Sequence, residues 1–128
     1  MTDAVFDTTV FIDSYLGHQG ALTLLSAATD GRLEAMYSPI TAYELWVRPM
    51  GRAAEIFHIA VLSALQDIPV TSALARQVAD WPRVATRSQR LRLAADAMIA
   101  ATAASLGATI YSRNPRDFSR FYTNVQSY

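Results

Sequence analysis

Four carboxylates sit where a chain of this pattern would gather them: Asp7, Glu44, Asp96 and Asp117. Asp96 is the most informative, because it interrupts Leu93-Ala-Ala-Asp-Ala-Met-Ile-Ala-Ala-Thr-Ala-Ala-Ser-Leu106, a small-residue, apolar helix pattern. A carboxylate there is costly to desolvate unless something positive meets it. Asp117 stands in a polar turn just past the strand candidate Thr109-Ile-Tyr111. Asp7 ends the apolar run Ala4-Val-Phe6, and Glu44 lies in the helix after a second strand candidate, Leu33 to Tyr37. In open α/β sheets, function gathers beyond the carboxyl ends of the strands. Four unpaired acids packed there would repel, and some would stay protonated. A divalent cation removes that conflict, and Mg²⁺ or Mn²⁺ suits carboxylate and water ligands while leaving positions open for a substrate phosphate. His18 and His58 fall outside the acidic set and there is no cysteine, which argues against zinc.

Each acid also has a plainer reading. Asp7 can N-cap the helix that begins near Thr8. Asn114-Pro-Arg-Asp117 resembles a capping box, with Asn as the cap and Asp at the third position. Glu44 can be a solvated helix residue. Asp96 resists such a reading best, since its neighbours are Ala95, Ala97, Met98 and Ile99. Asp3, Asp13, Asp30, Glu34, Glu55, Asp67 and Asp80 read as surface, cap or turn residues, with Asp13 the least secure because it follows Asp7 closely.

The elements that must position these groups alternate strand and helix. Thr9 to Leu16 and Ala21 to Thr29 are helical stretches between the first two strand candidates. Ser38-Pro39 starts the next helix, with Ser as N-cap and Pro at the first helical position. Ala53 to Leu65 is helical by its apolar spacing, Asp67 to Thr71 reads as a short strand, and Ser72 caps a further helix that Pro82 bends or ends. The Asp96 helix, the strand at 109–111, a short helix from Pro115 and an edge strand within 121–128 complete the series. Strands separated by helices in this way predict an α/β sandwich: a central, mostly parallel sheet of four to five short strands flanked by helices.

The 128 residues suit one domain over 1–128, and the apolar fraction of 52% suits a globular core. No apolar run approaches a membrane span, and the acidic start lacks the basic region of a secretory signal, so the default expectation is cytoplasmic. All eleven basic residues are Arg. The absence of Lys excludes a Walker-type phosphate loop and Schiff-base chemistry. The balanced net charge hides a polarity: residues 1–80 hold nine acids against four Arg, whereas residues 81–128 hold seven Arg against Asp96 and Asp117. Such a chain can hold an anionic polymer with one surface and a cation with another, although Arg83 to Arg92 also reads as a solvated helix face and loop.

At this point the motifs resemble a family. Ala4-Val-Phe-Asp7-Thr-Thr-Val-Phe-Ile-Asp13 is similar to the opening of PIN-domain nucleases, Ser38-Pro-Ile-Thr-Ala-Tyr-Glu44-Leu to their second motif, Leu93-Ala-Ala-Asp96-Ala-Met-Ile to their third, and Tyr111-Ser-Arg-Asn114-Pro-Arg-Asp117-Phe118 to their fourth. Size and layout resemble the VapC-type toxins of bacterial toxin–antitoxin pairs. The resemblance implies a Mg²⁺- or Mn²⁺-dependent endoribonuclease with Asp7, Glu44, Asp96 and Asp117 as its acidic site. Asp7 and Asp96 would be the principal metal ligands, with Asp117 a more variable one. Glu44 would bind metal directly or through water and help orient the attacking water. Thr9 and Ser112 would place hydroxyls near the metal or phosphate, and Asn114 would brace the loop. Both hydroxyl positions depart from the family's commoner residues, and Trp46-Val-Arg-Pro49 is an unusual continuation that leaves the pocket wall open to question. Arg113 and Arg116 flank the acids in sequence and are candidates for RNA phosphates. Tyr43, Trp46 and Tyr111 are candidates for base stacking or for the core. The resemblance further implies an antitoxin protein that blocks the acidic pocket, and a homodimer, for which the helices at 21–29 and 53–65 offer surfaces. Two other functions stay open at this point: a non-catalytic PIN-like RNA-binding module, and a phosphatase that uses Asp7 as nucleophile, the latter weakened by the lack of a second Asp at position 9 and of any Lys.

Overall fold

The computed structural model describes the backbone of residues 2–80 and 87–128 and the side chains of residues 3–80 and 93–128. Pro82 and Arg83 lie outside the described residues, as do the side chains of Arg87, Arg90 and Arg92, so the expected kink and basic cluster belong to that region. The elements run β1 (Thr2–Phe6), α1 (Thr8–Tyr15), α2 (Gln19–Thr29), β2 (Leu33–Tyr37), α3 (Pro39–Trp46), α4 (Arg52–Ala64), β3 (Gln66–Asp67), α5 (Ser72–Asp80), α6 (Arg87–Leu106), β4 (Thr109–Tyr111), α7 (Arg116–Ser119) and β5 (Val125–Gln126). They form an α/β sandwich about a five-stranded sheet of order β3-β2-β1-β4-β5, with every pairing parallel.

β1 is the central strand because it can be buried on both faces. Ala4, Val5 and Phe6 are fully buried, a continuous apolar run of the kind a covered parallel strand requires. Their side chains alternate. Ala4 and Phe6 join a core with Val10, Phe11 and Leu45, whereas Val5 joins the opposite core with Ile99, Ile110 and Phe118. Small residues let α6 pack closely on both sides: Ala100 and Ala103 join that second core, and Ala97 and Ala101 pack with Leu74 and Val78 of α5. Gly107, at a φ of 63°, then turns the chain from α6 into β4, a backbone conformation that favours glycine.

From β1 the chain moves outward to β2 and β3 on one side, then returns to build β4 and β5 on the other. The carboxyl ends of β1 and β4 therefore flank the point where strand order reverses, which is where α/β sheets open a crevice. Asp7 follows one of these strands and Ser112 the other.

Three local expectations need correction. The strand expected over Asp67 to Thr71 is Gln66–Asp67, extended only by the amide of Ile68 donating to the Tyr37 carbonyl at 3.0 Å. Pro69 has no N–H with which to continue that ladder. The cap of α5 is Thr71 and not Ser72, since Thr71 Oγ1 accepts from the Leu74 amide at 3.2 Å. The capping box at Asn114 does not form. Its carbonyl accepts from the Asp117 amide at 3.1 Å, and no side chain caps α7. The Ser38 cap stands as expected, with Oγ accepting from the Ile40 amide at 3.1 Å above Pro39 in the first turn.

Candidate active site

Asp7 is the most tightly held of the acids. It is the first residue after β1, it is buried, and its amide donates to the Tyr111 carbonyl at 3.1 Å, so its backbone is fixed against β4. Two hydroxyls donate to one oxygen, Oδ2: Thr9 Oγ1 at 3.1 Å and Ser112 Oγ at 2.9 Å. Each hydroxyl in turn accepts from the β4–α7 loop, Thr9 from the Arg113 amide at 2.9 Å and Ser112 from the Asn114 amide at 3.0 Å. The loop is thus braced by Thr9 and Ser112, and Asn114 takes part through its backbone. Asp7 occupies the N-cap position of α1 but makes no side-chain capping bond. Burial raises its pKa, opposed by Ser112, by Thr9 and by the nearby amides of Thr8 and Thr9.

The other acids approach from three helices. Glu44, half-buried on α3, accepts from Thr8 Oγ1 at 3.1 Å through Oε1. Burial raises its pKa, and the charge of Asp7 adds to the effect. Asp96, from α6, is pushed up to about 7, first by burial and then by Asp117, Asp7 and Glu44, with Arg120 opposing. Asp117, exposed on α7, shares with Asp7, Glu44 and Asp96 the wall of one cavity of about 340 Å³. Sequence reasoning assigned these acids together, and the fold places all four around one pocket.

Sequence reasoning missed other features of this pocket. Arg48, from the turn between α3 and α4, lines it beside Val47, so the unusual Trp46-Val-Arg-Pro49 segment does supply pocket wall. Arg113, expected at a phosphate, turns instead to Asp13, with Nε to Oδ2 at 2.9 Å and Nη2 to Oδ1 at 2.8 Å. Tyr128 Oη donates to the same Asp13 Oδ2 at 2.6 Å. Asp13 is accordingly buried and not a surface residue. The available signal was spacing: Asp13 lies four residues after Thr9, on the same face of α1, and Arg113 meets both. Arg116 is exposed at the start of α7 and does not line the acidic pocket. Of the aromatic candidates, Tyr43 and Trp46 are exposed, whereas Tyr111 packs edge-on against Phe6 at 6.3 Å. His18 caps α2, its Nδ1 accepting from the Ala21 amide at 3.3 Å, and His58 is buried in α4; neither faces the acids.

The donor chemistry fits a hard divalent cation. Every candidate ligand is oxygen; burial raises the pKa of Asp7, and burial plus repulsion from neighbouring carboxylates raises those of Glu44 and Asp96, the conflict that a cation resolves. Among the described residues, no three acidic or imidazole side chains already stand close enough together to ligate an ion jointly. As oriented, the acids ring a pocket and do not form a closed cage. Such a site suits an ion that keeps several of its waters.

The PIN domain family model matches residues 4–124. The chain belongs to the PIN domain family. Solved structures agree on the fold. A toxin–antitoxin complex from Klebsiella pneumoniae is 26% identical with a TM-score of 0.67, over 96% of this chain and 95% of that one. VapBC2 from Rickettsia felis, bound to a DNA fragment from its promoter, is 16% identical with a TM-score of 0.72, over 99% of both chains. DNA-bound VapBC from Salmonella typhimurium is 21% identical with a TM-score of 0.67, over 100% of this chain and 98% of that one. No curated protein matches the chain. Membership in the PIN family sets aside the aspartyl-phosphatase reading of Asp7.

Proposed function

We propose that this PIN domain is a Mg²⁺- or Mn²⁺-dependent endoribonuclease and acts as the toxin of a toxin–antitoxin pair. The observation that carries the catalytic part is the set of four carboxylates around one pocket at the β1/β4 switch point, three of them with raised pKa. The toxin part is supported by the toxin–antitoxin complexes among its structural relatives.

Asp7 and Asp96 would hold the ion, with Asp117 at the open side of the pocket and Glu44 binding directly or through water. Bound there, the ion would polarise the scissile phosphate and lower the pKa of water for attack. Ser112 and Thr9 keep Asp7 Oδ2 fixed, which leaves Oδ1 without a side-chain donor among the described residues. Glu44 would orient the attacking water and accept its proton, a role supported by its raised pKa, which makes it a better base than a surface carboxylate. In-line attack at phosphorus leaves a 5′-phosphate and a 3′-hydroxyl. Arg48 supplies positive charge at the rim of the pocket.

A protein partner is supported by the apolar side chains left in solvent, among them Ile56 and Ile59 on α4 and Val47 beyond α3. An antitoxin and a second copy of the chain are both proposed for such surfaces, of which α4 offers more than α2, because α4 exposes Ile56 and Ile59 while no large apolar side chain of α2 is fully exposed. A toxin of this kind would act on cytoplasmic RNA. Among the described residues, no helix is long and apolar enough to cross a membrane.

The test is cleavage of a structured RNA by the purified chain in Mn²⁺, with end mapping of the products. Cleavage that disappears with EDTA and with Asp96→Asn supports the reading. RNA binding without any metal-dependent cleavage would make the chain a non-catalytic binding module. Full activity in Asp96→Asn would refute the site.

A further inference from the structure

Beside the acidic pocket lies a second cavity of about 270 Å³ that the proposed reaction does not use. Its walls include Tyr15 and Leu16 from the end of α1, Met50 from the α3–α4 turn, and His58 from α4. Two residues, Ile12 and Arg48, line both cavities, so the two are neighbours that share a basic residue. Arg48 is exposed, and its side chain makes no salt bridge among the described residues. His58 is buried within a cluster of rings, with Tyr15 at 5.8 Å and Trp46 at 6.4 Å. Among the described residues its Nδ1 has no hydrogen-bond partner, and both burial and the charge of Arg48 lower its pKa, disfavouring the charged imidazolium.

A cation beside an apolar, aromatic-walled cavity matches the two halves of a nucleotide. Bases splayed out of single-stranded RNA stack on aromatic side chains, while the adjoining phosphate needs a positive group. We propose that these residues seat the nucleotide next to the scissile phosphate, with Arg48 binding its phosphate and the cavity walled by Tyr15, Met50 and His58 holding its base. This rests on the reading of the acidic pocket as the place where the phosphodiester is cut. It places substrate recognition on the corner between α3 and α4, away from Arg113, whose guanidinium is committed to Asp13. Favouring RNA over a protein side chain as the occupant is the shared wall: whatever fills the cavity also meets Arg48 and adjoins the catalytic acids.

Fluorescence anisotropy with a labelled single-stranded RNA tests the seat, in the full chain carrying Asp96→Asn so that cleavage does not deplete the probe. Arg48→Ala is expected to weaken binding about tenfold, the loss of one charge-assisted contact. It should also reduce the slope of log affinity against log salt by about 0.7, the value for one phosphate on a single strand. An abasic residue scanned along the RNA should weaken binding at least about fivefold at one position, and that penalty should vanish in Tyr15→Ala. Tyr15 is partly exposed, so this change does not threaten the fold. An unchanged salt slope in Arg48→Ala, no sensitive position in the scan, or no measurable RNA affinity overturns the seat and leaves the cavity to a protein side chain. The chain without Asp96→Asn separates the two readings. Metal-dependent cleavage with an unchanged slope refutes only the seat, whereas an Arg48-dependent slope without cleavage refutes only the nuclease.

Discussion

Replacing Asp96 by Asn should stabilise the metal-free protein, although it removes a group proposed to hold the catalytic metal. Burial, and then Asp117, Asp7 and Glu44, raise this carboxyl from 3.8 to about 7. A raised folded-state pKa means that the folded chain binds the proton more tightly than the unfolded chain. Below about pH 4 both states are protonated and the group contributes nothing. Between about pH 4 and 7 the unfolded state ionises first, so stability falls as pH rises; above 7 the full penalty is present. At about 1.4 kcal/mol per pH unit, the interval corresponds to about 4 kcal/mol. Solvent reaches this half-buried group, and screening reduces the figure to about 2 kcal/mol. Asn keeps the shape and carries no charge. Urea denaturation in EDTA at pH 8 should therefore show Asp96→Asn more stable by about 2 kcal/mol, or about 6–10 °C in Tm for a domain of this size. The advantage should shrink as pH falls and vanish below about pH 4. Adding Mg²⁺ should stabilise the parent more than the variant, because an ion that binds only the folded state stabilises it by mass action. A variant that is equally or less stable at pH 8 in EDTA would refute the electrostatic account of the site.

Ser112→Ala should cost about 1–3 kcal/mol in chemical denaturation, because it leaves the buried Asp7 Oδ2 short of a donor and the Asn114 amide without its acceptor. Asp13→Asn should cost about 1–2 kcal/mol at pH 7, reduced from the value for a fully buried pair because half of Arg113 is in solvent. Burial alone would raise the pKa of Asp13, but the Tyr128 hydroxyl and Arg113 more than offset it and hold it low. That contribution is therefore present above the ordinary carboxylate range and lost as pH falls below it, so the gap between parent and Asp13→Asn should close in acid. In RNA cleavage assays, Asp7→Asn should lose about a hundredfold or more, the scale for removing a central electrostatic group. Asp117→Asn, at the exposed side of the pocket, should lose about tenfold, the scale of a supporting partner to a metal site. Equal losses in the two variants would contradict the unequal burial of the two acids.

The parts of this fold legible in the sequence are those with strong local patterns. Ala4 to Phe6 reads as a covered strand because nothing polar interrupts it, and Ser38-Pro39 marks a helix start by two independent preferences. The Asp96 helix declares its packing by its alanines, and the charge among them declares the site. What could not be read depends on tertiary contact. Asp13 looks like any polar residue on an amphipathic helix until β4 and the chain end bring Arg113 and Tyr128 to it, from a hundred or more residues away. Arg113 looked free beside the acids for the same reason. Arg48 was hidden because its value comes from the turn at which α3 stops and α4 begins, and from two cavities that meet there. Asn114 resembled a cap, yet the local turn bonds through its carbonyl, and the loop is braced by hydroxyls from elsewhere in the chain.

The acids also divide by how they are held, which bears on how the site would work. Asp7 is fixed by two hydroxyl donors on one oxygen, and those hydroxyls are themselves fixed by two amides of the β4–α7 loop. Its geometry is set before any ligand arrives, the preorganisation on which electrostatic catalysis depends. Asp96 has no such support among its described contacts. Besides burial, what acts on it is mainly the charge of Asp117, Asp7 and Glu44. The unrelieved repulsion therefore falls on Asp96 more than on Asp7. A cation entering the pocket would gain most by pairing with Asp96 while finding its position already defined by Asp7. One acid supplies the geometry and the other most of the electrostatic incentive. The alanines that place Asp96 against the sheet are what sustain that incentive, because the same packing that brings the carboxylate to the pocket keeps water from solvating it fully.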